Sequence, residues 1–160
     1  MTLNLERALK HMSWANQEVY KLIIALPDEA LKAYATDPDW TVGEILRHIA
    51  SSSGGYGARL KGIDAEVLVR PTTMQELQVI AKQLLSNDAQ LLQLANVADE
   101  KIAVIREGKT THWMRSTIVT QAIHHATEHR AQAVCALEAK GFKAVNLDDY
   151  DVWAYEINNG

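Results

Sequence analysis

The 160-residue sequence contains a single cysteine, Cys135. One thiol excludes an internal disulfide framework and is typical of a reducing compartment, so we expect a cytoplasmic protein. No apolar run approaches the length of about 18 residues that a transmembrane helix needs. The opening MTLNLERALKHMSWANQ carries polar or charged side chains every few positions, so we expect neither a signal peptide nor a membrane anchor there.

Basic residues are neither in excess nor clustered. The chain has 16 Lys and Arg against 20 Asp and Glu, a formal net charge of -4. Binding by phosphate neutralisation needs the opposite balance, so we expect no nucleic-acid partner. We also find no repeat and no linker-like composition, which predicts one domain over residues 1–160. A domain of this size buries enough apolar surface to fold without disulfide bonds or a structural metal ion, so we expect a bound metal to serve function rather than folding.

Four stretches repeat apolar residues at three- and four-residue steps, as amphipathic helices do. Residues 100–111 predict either a short irregular hairpin or an extended crossover, and the tail predicts one short helix from Asp148. The fold class is therefore an all-α antiparallel four-helix bundle with a short C-terminal helix or tail. The four helices are predicted from Leu3 to Leu26, from a cap at Thr41 to the break at Gly62, from a cap at Thr73 to about Ala95, and from Arg115 to a stop at Gly141.

The last of these helices carries two histidines on the stripe that should be apolar. His125 and His129 are four residues apart, so both imidazoles point to the same side of the helix, as two ligands of one metal ion must. His124 points about 100° away from that face. An HxxxH pair also arises by chance in a chain with six histidines, so the pair alone leaves a hydrogen-bonded core role open.

His48 adds a third histidine on the inward stripe of the second helix. The small residues SSSGG at positions 51–55 follow it and leave space for water or a substrate. A set of three imidazoles suits Zn, Ni, Fe or Cu and leaves coordination positions open, the arrangement of a catalytic rather than a structural site. Such a metal would act as a Lewis acid that lowers the pKa of a bound water or thiol.

Other polar residues near this face have two interpretations each. Glu44 lies one turn before His48 and is a weaker candidate for acid–base catalysis, the alternative being a helix-capping residue on the surface. Gln132 either hydrogen-bonds toward the site or marks a helix boundary. Arg130 is expected in an ion pair and secondarily as a contact for an anionic substrate. Cys135 is expected to be a small buried hydrophobe.

Three blocks of the sequence resemble the DinB/YfiT-like metal-binding four-helix proteins. WAN at residues 14–16 and PDE at residues 27–29 are similar to the flanks of the apolar run in that family's first helix. WTVGEILRHI at residues 40–49 resembles the block with its first histidine ligand. HATEHRAQ at residues 125–132 resembles its HxxxHRxQ block, with Ala131 where the family usually has glycine.

The resemblance implies a divalent transition metal, often nickel or zinc, held by His48, His125 and His129, in a bundle that commonly forms a homodimer. Some relatives use a low-molecular-weight thiol in S-transfer or isomerisation. We therefore expect a metal-dependent enzyme that activates water or a thiol for hydrolysis or thiol transfer on a small molecule. The alternative is a non-catalytic dimeric bundle that acts as a stress-response or interaction module.

Overall fold

The computed structural model describes residues 5–160, apart from the side chain of Arg106, and confirms the all-α bundle. The predicted start of the first helix at Leu3 lies outside the described residues. No described helix has the length and apolarity to cross a membrane. The four long helices are α1 Glu6–Ile24, α2 Val42–Lys61, α3 Met74–Ala95 and α4 Arg115–Ala139. The smaller elements are strands β1 Lys101–Arg106 and β2 Lys109–Met114, helix α5 Val152–Asn159, and 3₁₀ turns at Asp28–Lys32 and Leu147–Tyr150.

Threonine caps fix the starts of α2 and α3 where the sequence predicts them. Thr41 Oγ1 accepts a hydrogen bond from the Glu44 amide, and Thr73 Oγ1 accepts one from the Glu76 amide. Glu76 completes a reciprocal capping box by accepting from the Thr73 amide. The Glu44 side chain instead pairs with Arg47, so the box at α2 is only half formed.

Helices that pack against each other are not always consecutive in the sequence. Helix α2 packs against α3 and α4, and α1 packs against the same two helices. Two apolar clusters occupy the two ends of the bundle. One of them contains residues from the ends of α1 and α4 and from the starts of α2 and α3, and this defines the helix directions. Helices α1 and α4 therefore run opposite to α2 and α3. The first cluster includes Ile23, Leu46, Leu77 and Leu137, and the second includes Leu9, Leu60, Leu91 and Val119.

A buried polar layer separates the two apolar clusters. Each long helix contributes one side chain to this layer: Asn16, Ser53, Asp88 and Arg130, in chain order. Ser53 Oγ and Asn16 Nδ2 donate to the two carboxylate oxygens of Asp88, at 2.7 and 2.9 Å, and Arg130 Nη1 donates to Asn16 Oδ1 at 2.6 Å. The buried acid and the buried base are thus joined through one amide. Arg130 is expected in an ion pair, but its guanidinium donates to Asn16 and Thr127 and reaches Asp88 only through the Asn16 amide.

Asp88 makes stability depend on pH. Burial raises the pKa of Asp88 from 3.8 to about 6, against the opposing effects of the Ser53 and Asn16 hydrogen bonds and of Arg130. Between these two values the folded chain holds a proton that the unfolded chain has lost, so acidification favours the folded state. Between pH 7 and pH 4 we expect the free energy of unfolding of the wild type to rise by about 2–3 kcal/mol relative to Asp88→Asn. Urea denaturation of both proteins at the two pH values tests this, and a constant difference would contradict it.

Residues 101–114 form a hairpin, so the hairpin interpretation is confirmed over the crossover. Strands β1 and β2 pair antiparallel from Lys101 opposite Met114 to Arg106 opposite Lys109. The two loop residues Glu107 and Gly108 have φ of 51° and 74°. A two-residue hairpin loop needs such positive φ values, which explains a glycine at the second position.

The structure corrects the prediction for Cys135 and contains the short helix predicted in the tail. Cys135 is exposed, because the inward side of α4 at this level is taken by Ala133 and Ala136. The expectation of a buried Cys135 is therefore wrong. The predicted short helix in the tail exists as α5, but it begins at Val152 and not at Asp148, which lies in a 3₁₀ turn. Helix α5 packs against Trp14 through Tyr155, with ring centroids 5.5 Å apart.

Candidate metal centre

Helices α2 and α4 lie side by side, and their contact brings the three predicted histidines together. One ring nitrogen from each of His48, His125 and His129 lies within 4.8 Å of the others, a group that can hold a metal ion. The Nε2 atoms of His48 and His125 are 2.9 Å apart, and the ring centroids of His125 and His129 are 4.2 Å apart. His124 is exposed on the opposite side, as expected.

The surroundings of the site favour neutral imidazoles. Burial, followed by the neighbouring histidines, lowers the pKa of His125 from 6.5 to about 4. Burial also lowers the pKa of His48, with smaller effects in the same direction from His129 and Arg47. An unprotonated imidazole has the lone pair that a metal ligand needs. The residues present therefore fit a divalent transition metal without any prior loss of protons from these two rings.

Gln132 fixes the tautomer of His129. Trp40 Nε1, which can only donate, gives a hydrogen bond to Gln132 Oε1 at 2.9 Å. The same oxygen lies 2.8 Å from His129 Nδ1, so Nδ1 must carry the proton of that second bond. The lone pair of His129 is therefore on Nε2. Trp40 also packs edge-on against the His48 and His129 rings, with centroids 5.2 and 5.7 Å away.

Removing the oxygen of Gln132 should weaken metal binding although it is not itself a ligand. We expect Gln132→Leu to reduce the metal affinity about 10- to 100-fold, because a group that orients a ligating histidine has an effect of this size. A competition titration against a chromophoric chelator measures the affinity. Gln132→Glu keeps an acceptor, and Trp40→Phe removes only the second donor, so both should retain more affinity than Gln132→Leu. Equal affinities of Gln132→Leu and wild type would contradict the orienting role.

A cavity of about 1070 Å³ opens beside the histidines. Its walls come from α2, from residues 65–68, from the β1–β2 hairpin and from the first half of α4. His48 and His125 line it, whereas His129 is not among the lining residues. Ser51, Ser52 and Gly55 also line it, which confirms that the small residues after His48 leave space.

Tyr56 is the aromatic residue of the cavity nearest to the histidines. Its ring centroid lies 5.8 Å from that of His125, edge to face. Burial raises the pKa of Tyr56, against a smaller opposing effect of Gln121 on α4. The phenol therefore keeps its proton at neutral pH and can donate it in a hydrogen bond to a ligand in the cavity.

Glu44 lies outside this cavity lining. Its carboxylate accepts from Arg47 Nε at 3.0 Å and from Arg47 Nη2 at 2.5 Å, and this pairing lowers the pKa of Glu44. A carboxylate held in this way is a weak proton acceptor. The contacts therefore match the capping and ion-pair interpretation of Glu44 better than the catalytic one.

Comparison with known proteins agrees with the histidine geometry. The model of the DinB family matches residues 1–158, nearly the whole chain. The chain belongs to the DinB family. The resemblance inferred from the three sequence blocks is thereby confirmed, and this DinB protein has its three clustered histidines on α2 and α4. No match was found among curated proteins, so the reaction has to be argued from the site.

Sequence reasoning missed several residues that shape this DinB site. Tyr56 is given no role by the sequence analysis, and Trp40 enters it only as one residue of the block WTVGEILRHI. Both lie on or just before α2 at positions that face α4, so their equal distance of eight residues, about two turns, from His48 is the signal that was available. Gln121 carries no such signal, because only the packing of α2 on α4 brings it to Tyr56.

Proposed function

We propose that this DinB protein is a metal-dependent enzyme that acts on a small molecule. The observation that carries the proposal is that two of three clustered imidazoles, His48 and His125, line a cavity of about 1070 Å³. Structural metal sites are closed by protein ligands, whereas a site with three protein ligands beside a cavity keeps positions for a substrate. A cavity of this size suits a small organic molecule.

We assign His48, His125 and His129 as the metal ligands. Zinc or nickel suits an all-imidazole donor set. When bound, such an ion supplies a Lewis acid that makes water or a thiol nucleophilic near neutral pH. The chain keeps the ligands in place through Gln132 and Trp40, and burial keeps His48 and His125 unprotonated.

The other lining residues bind and orient the substrate in this proposal. The Tyr56 phenol donates a hydrogen bond to a polar atom of the substrate close to His125, and Gln121 lines the same cavity. Apolar side chains of the hairpin and α4, Val104, Trp113 and Ile118, cover the non-polar part of the substrate and exclude water. Glu44 is given no catalytic step, because Arg47 occupies its carboxylate.

The proposed reaction is hydrolysis or thiol transfer, the latter with a low-molecular-weight thiol as second substrate. The test uses protein purified without an affinity tag, in metal-free form and loaded with Zn²⁺ or Ni²⁺. An activated ester reports hydrolysis, and 1-chloro-2,4-dinitrobenzene with a small thiol reports thiol transfer. We expect turnover of one probe only in the metal-loaded protein, with His125→Ala as the inactive control. Metal binding without turnover of either probe class would count against the enzyme.

A second candidate is a non-catalytic homodimer, and the surface of α5 favours an interface. Trp153 and Ile157 are one turn apart and 75% and 83% exposed, more than large apolar side chains usually are. Light scattering measures the oligomeric state of wild type and of Trp153→Ser. A dimer that the substitution dissociates, combined with no metal-dependent turnover, would favour this candidate. A dimer that turns over a probe fits the enzyme.

A further inference from the structure

Arg59 extends the candidate site along α2 away from the histidines. Its guanidinium carbon lies 5.4 Å from the ring centroid of Tyr56, and both side chains line the cavity. Within the part of the chain that the structure describes, Arg59 stacks on this ring and forms no ion pair with a carboxylate. The planar N–H groups along the guanidinium edge are therefore available to a ligand.

The glycine at position 55 leaves room for the guanidinium. A Cβ at position 55 would stand only 3.3 Å from Arg59 Nη1. A glycine inside a helix lowers helix stability by about 1 kcal/mol relative to alanine. Here its missing side chain opens the space, one turn before Arg59, into which the guanidinium folds back beside Tyr56.

The distances place this cation within the length of a small molecule from the histidines. One step of 5.8 Å joins the His125 and Tyr56 ring centroids, and one of 5.4 Å joins the Tyr56 centroid and Arg59 Cζ. The distance from the His125 ring centroid to Arg59 Cζ is therefore at most the sum of these two distances. A ligand with polar groups at both ends of a chain of about four to seven carbons spans such a gap.

The local charges favour an anion with one negative charge. Arg59 belongs to the last turn of α2, where the helix dipole repels anions, and Glu66 and Glu107 also line the cavity. Two other cations line the cavity, Lys109 and Arg47, and the Arg47 guanidinium is already paired with Glu44. A carboxylate needs only the paired N–H groups of one guanidinium.

We propose that Arg59, held between Gly55 and Tyr56, binds a carboxylate of the substrate, while the other end of the same molecule lies at the three histidines. The substrate class is thus a small organic acid with a second polar group several carbons from its carboxylate. This inference rests on the proposed function, since the histidine end requires the metal.

Calorimetry with simple acids tests the assignment. The Zn²⁺-loaded protein is titrated with the dicarboxylates from succinate to pimelate, and with the monocarboxylate of each chain length. For at least one length we expect the dicarboxylate to bind about three- to fivefold more tightly, the effect of one ion pair at an exposed side chain such as Arg59. Arg59→Met should remove this advantage. Gly55→Ala should reduce it less than Arg59→Met does, because the charge remains and the guanidinium has to shift by only a few tenths of an ångström.

Lys61→Met is the matched control. Lys61 is a second cation in the last turn of α2, but it does not line this cavity, so its loss should leave the dicarboxylate advantage unchanged. An advantage that persists in Arg59→Met, or that is absent from the wild type at every length, overturns the inference. If the wild type takes up no Zn²⁺, the proposed function fails separately. Hexanoate binding to the metal-free proteins then decides: loss in Arg59→Met supports the carboxylate site, and equal binding overturns it.

Discussion

Replacing His125 by alanine should reduce the metal affinity of this protein by at least about 100-fold. The substitution removes one of three clustered imidazoles and leaves His48 and His129 on different helices. Losing a group that only orients a ligand already costs about 10- to 100-fold, so losing a ligand costs at least the upper end of that range. Mass spectrometry of the protein after metal loading and gel filtration should find about one metal per wild-type chain and close to none in the variant.

The same loss should appear in stability, because a ligand that binds only the folded chain stabilises it. At a free metal concentration about 1,000 times the wild-type Kd, the metal raises the free energy of unfolding by about 4 kcal/mol. A 100-fold weaker site at the same concentration gives only about 1.4 kcal/mol. Chemical denaturation with metal or with EDTA measures the two differences. In the metal-free state the variant should still fold, because its surroundings on α4 are helical and half-buried.

His124→Ala supplies the matched control for this experiment. It removes an imidazole from the adjacent position of α4, but that ring is exposed on the other face of the helix. We expect its metal content and metal-dependent stabilisation to equal those of the wild type. Equal loss in both variants would mean that general damage to α4, and not a ligand, causes the effect. Full retention in His125→Ala would remove His125 from the site.

The three histidines could be predicted because helix periodicity alone shows that they lie on the inward faces of their helices. The spacing of His125 and His129 sets them on one face whatever the rest of the chain does, and His48 follows its own apolar stripe. Their meeting depends on α2 and α4 being neighbours, which no local pattern determines. The resemblance to the DinB family supplied that step.

The residues that support the site depend on contacts far apart in sequence. Trp40 and Gln132 are 92 residues apart, yet one shared oxygen links them to His129. Gln132 lies inside α4, and an amide side chain has many equally good partners before folding, so its pattern predicts none of them. Arg59 is similar, since its direction depends on the empty space at Gly55 and on the Tyr56 ring.

The buried polar layer, by contrast, has a pattern in the sequence: polar residues stand at inward helical positions that are otherwise apolar. Along α3 the inward positions Leu77, Leu84 and Leu91 recur every seven residues, and Asp88 falls on the same stripe between the last two. Asn16 does the same on α1 between Met12 and Val19. A polar residue at such a position predicts a buried partner of opposite character, although it does not say on which helix that partner lies.

Breaking this layer from one side should be the most destabilising change in the bundle. We expect Asp88→Ala and Arg130→Ala each to lower the free energy of unfolding by about 3–5 kcal/mol, because each leaves the opposite charge buried without compensation. The double variant Asp88→Leu with Arg130→Met removes both charges and fills similar volume, so it should be at least as stable as either single variant. Urea denaturation with a shared m-value measures all three.

Ser86→Ala tests whether α3 tolerates substitution at this level of the bundle. Ser86 is exposed two positions from Asp88, and we expect a change within about 0.5 kcal/mol. A double variant less stable than either single variant would mean that the uncompensated charge does not cause the damage. If the charge is the cause, the double variant must be at least as stable as either single variant, because a buried charge is strongly destabilising when its partner is absent. Because Asn16 joins the two side chains, Asn16→Leu should be as damaging as either single variant only if the amide is the path of their compensation.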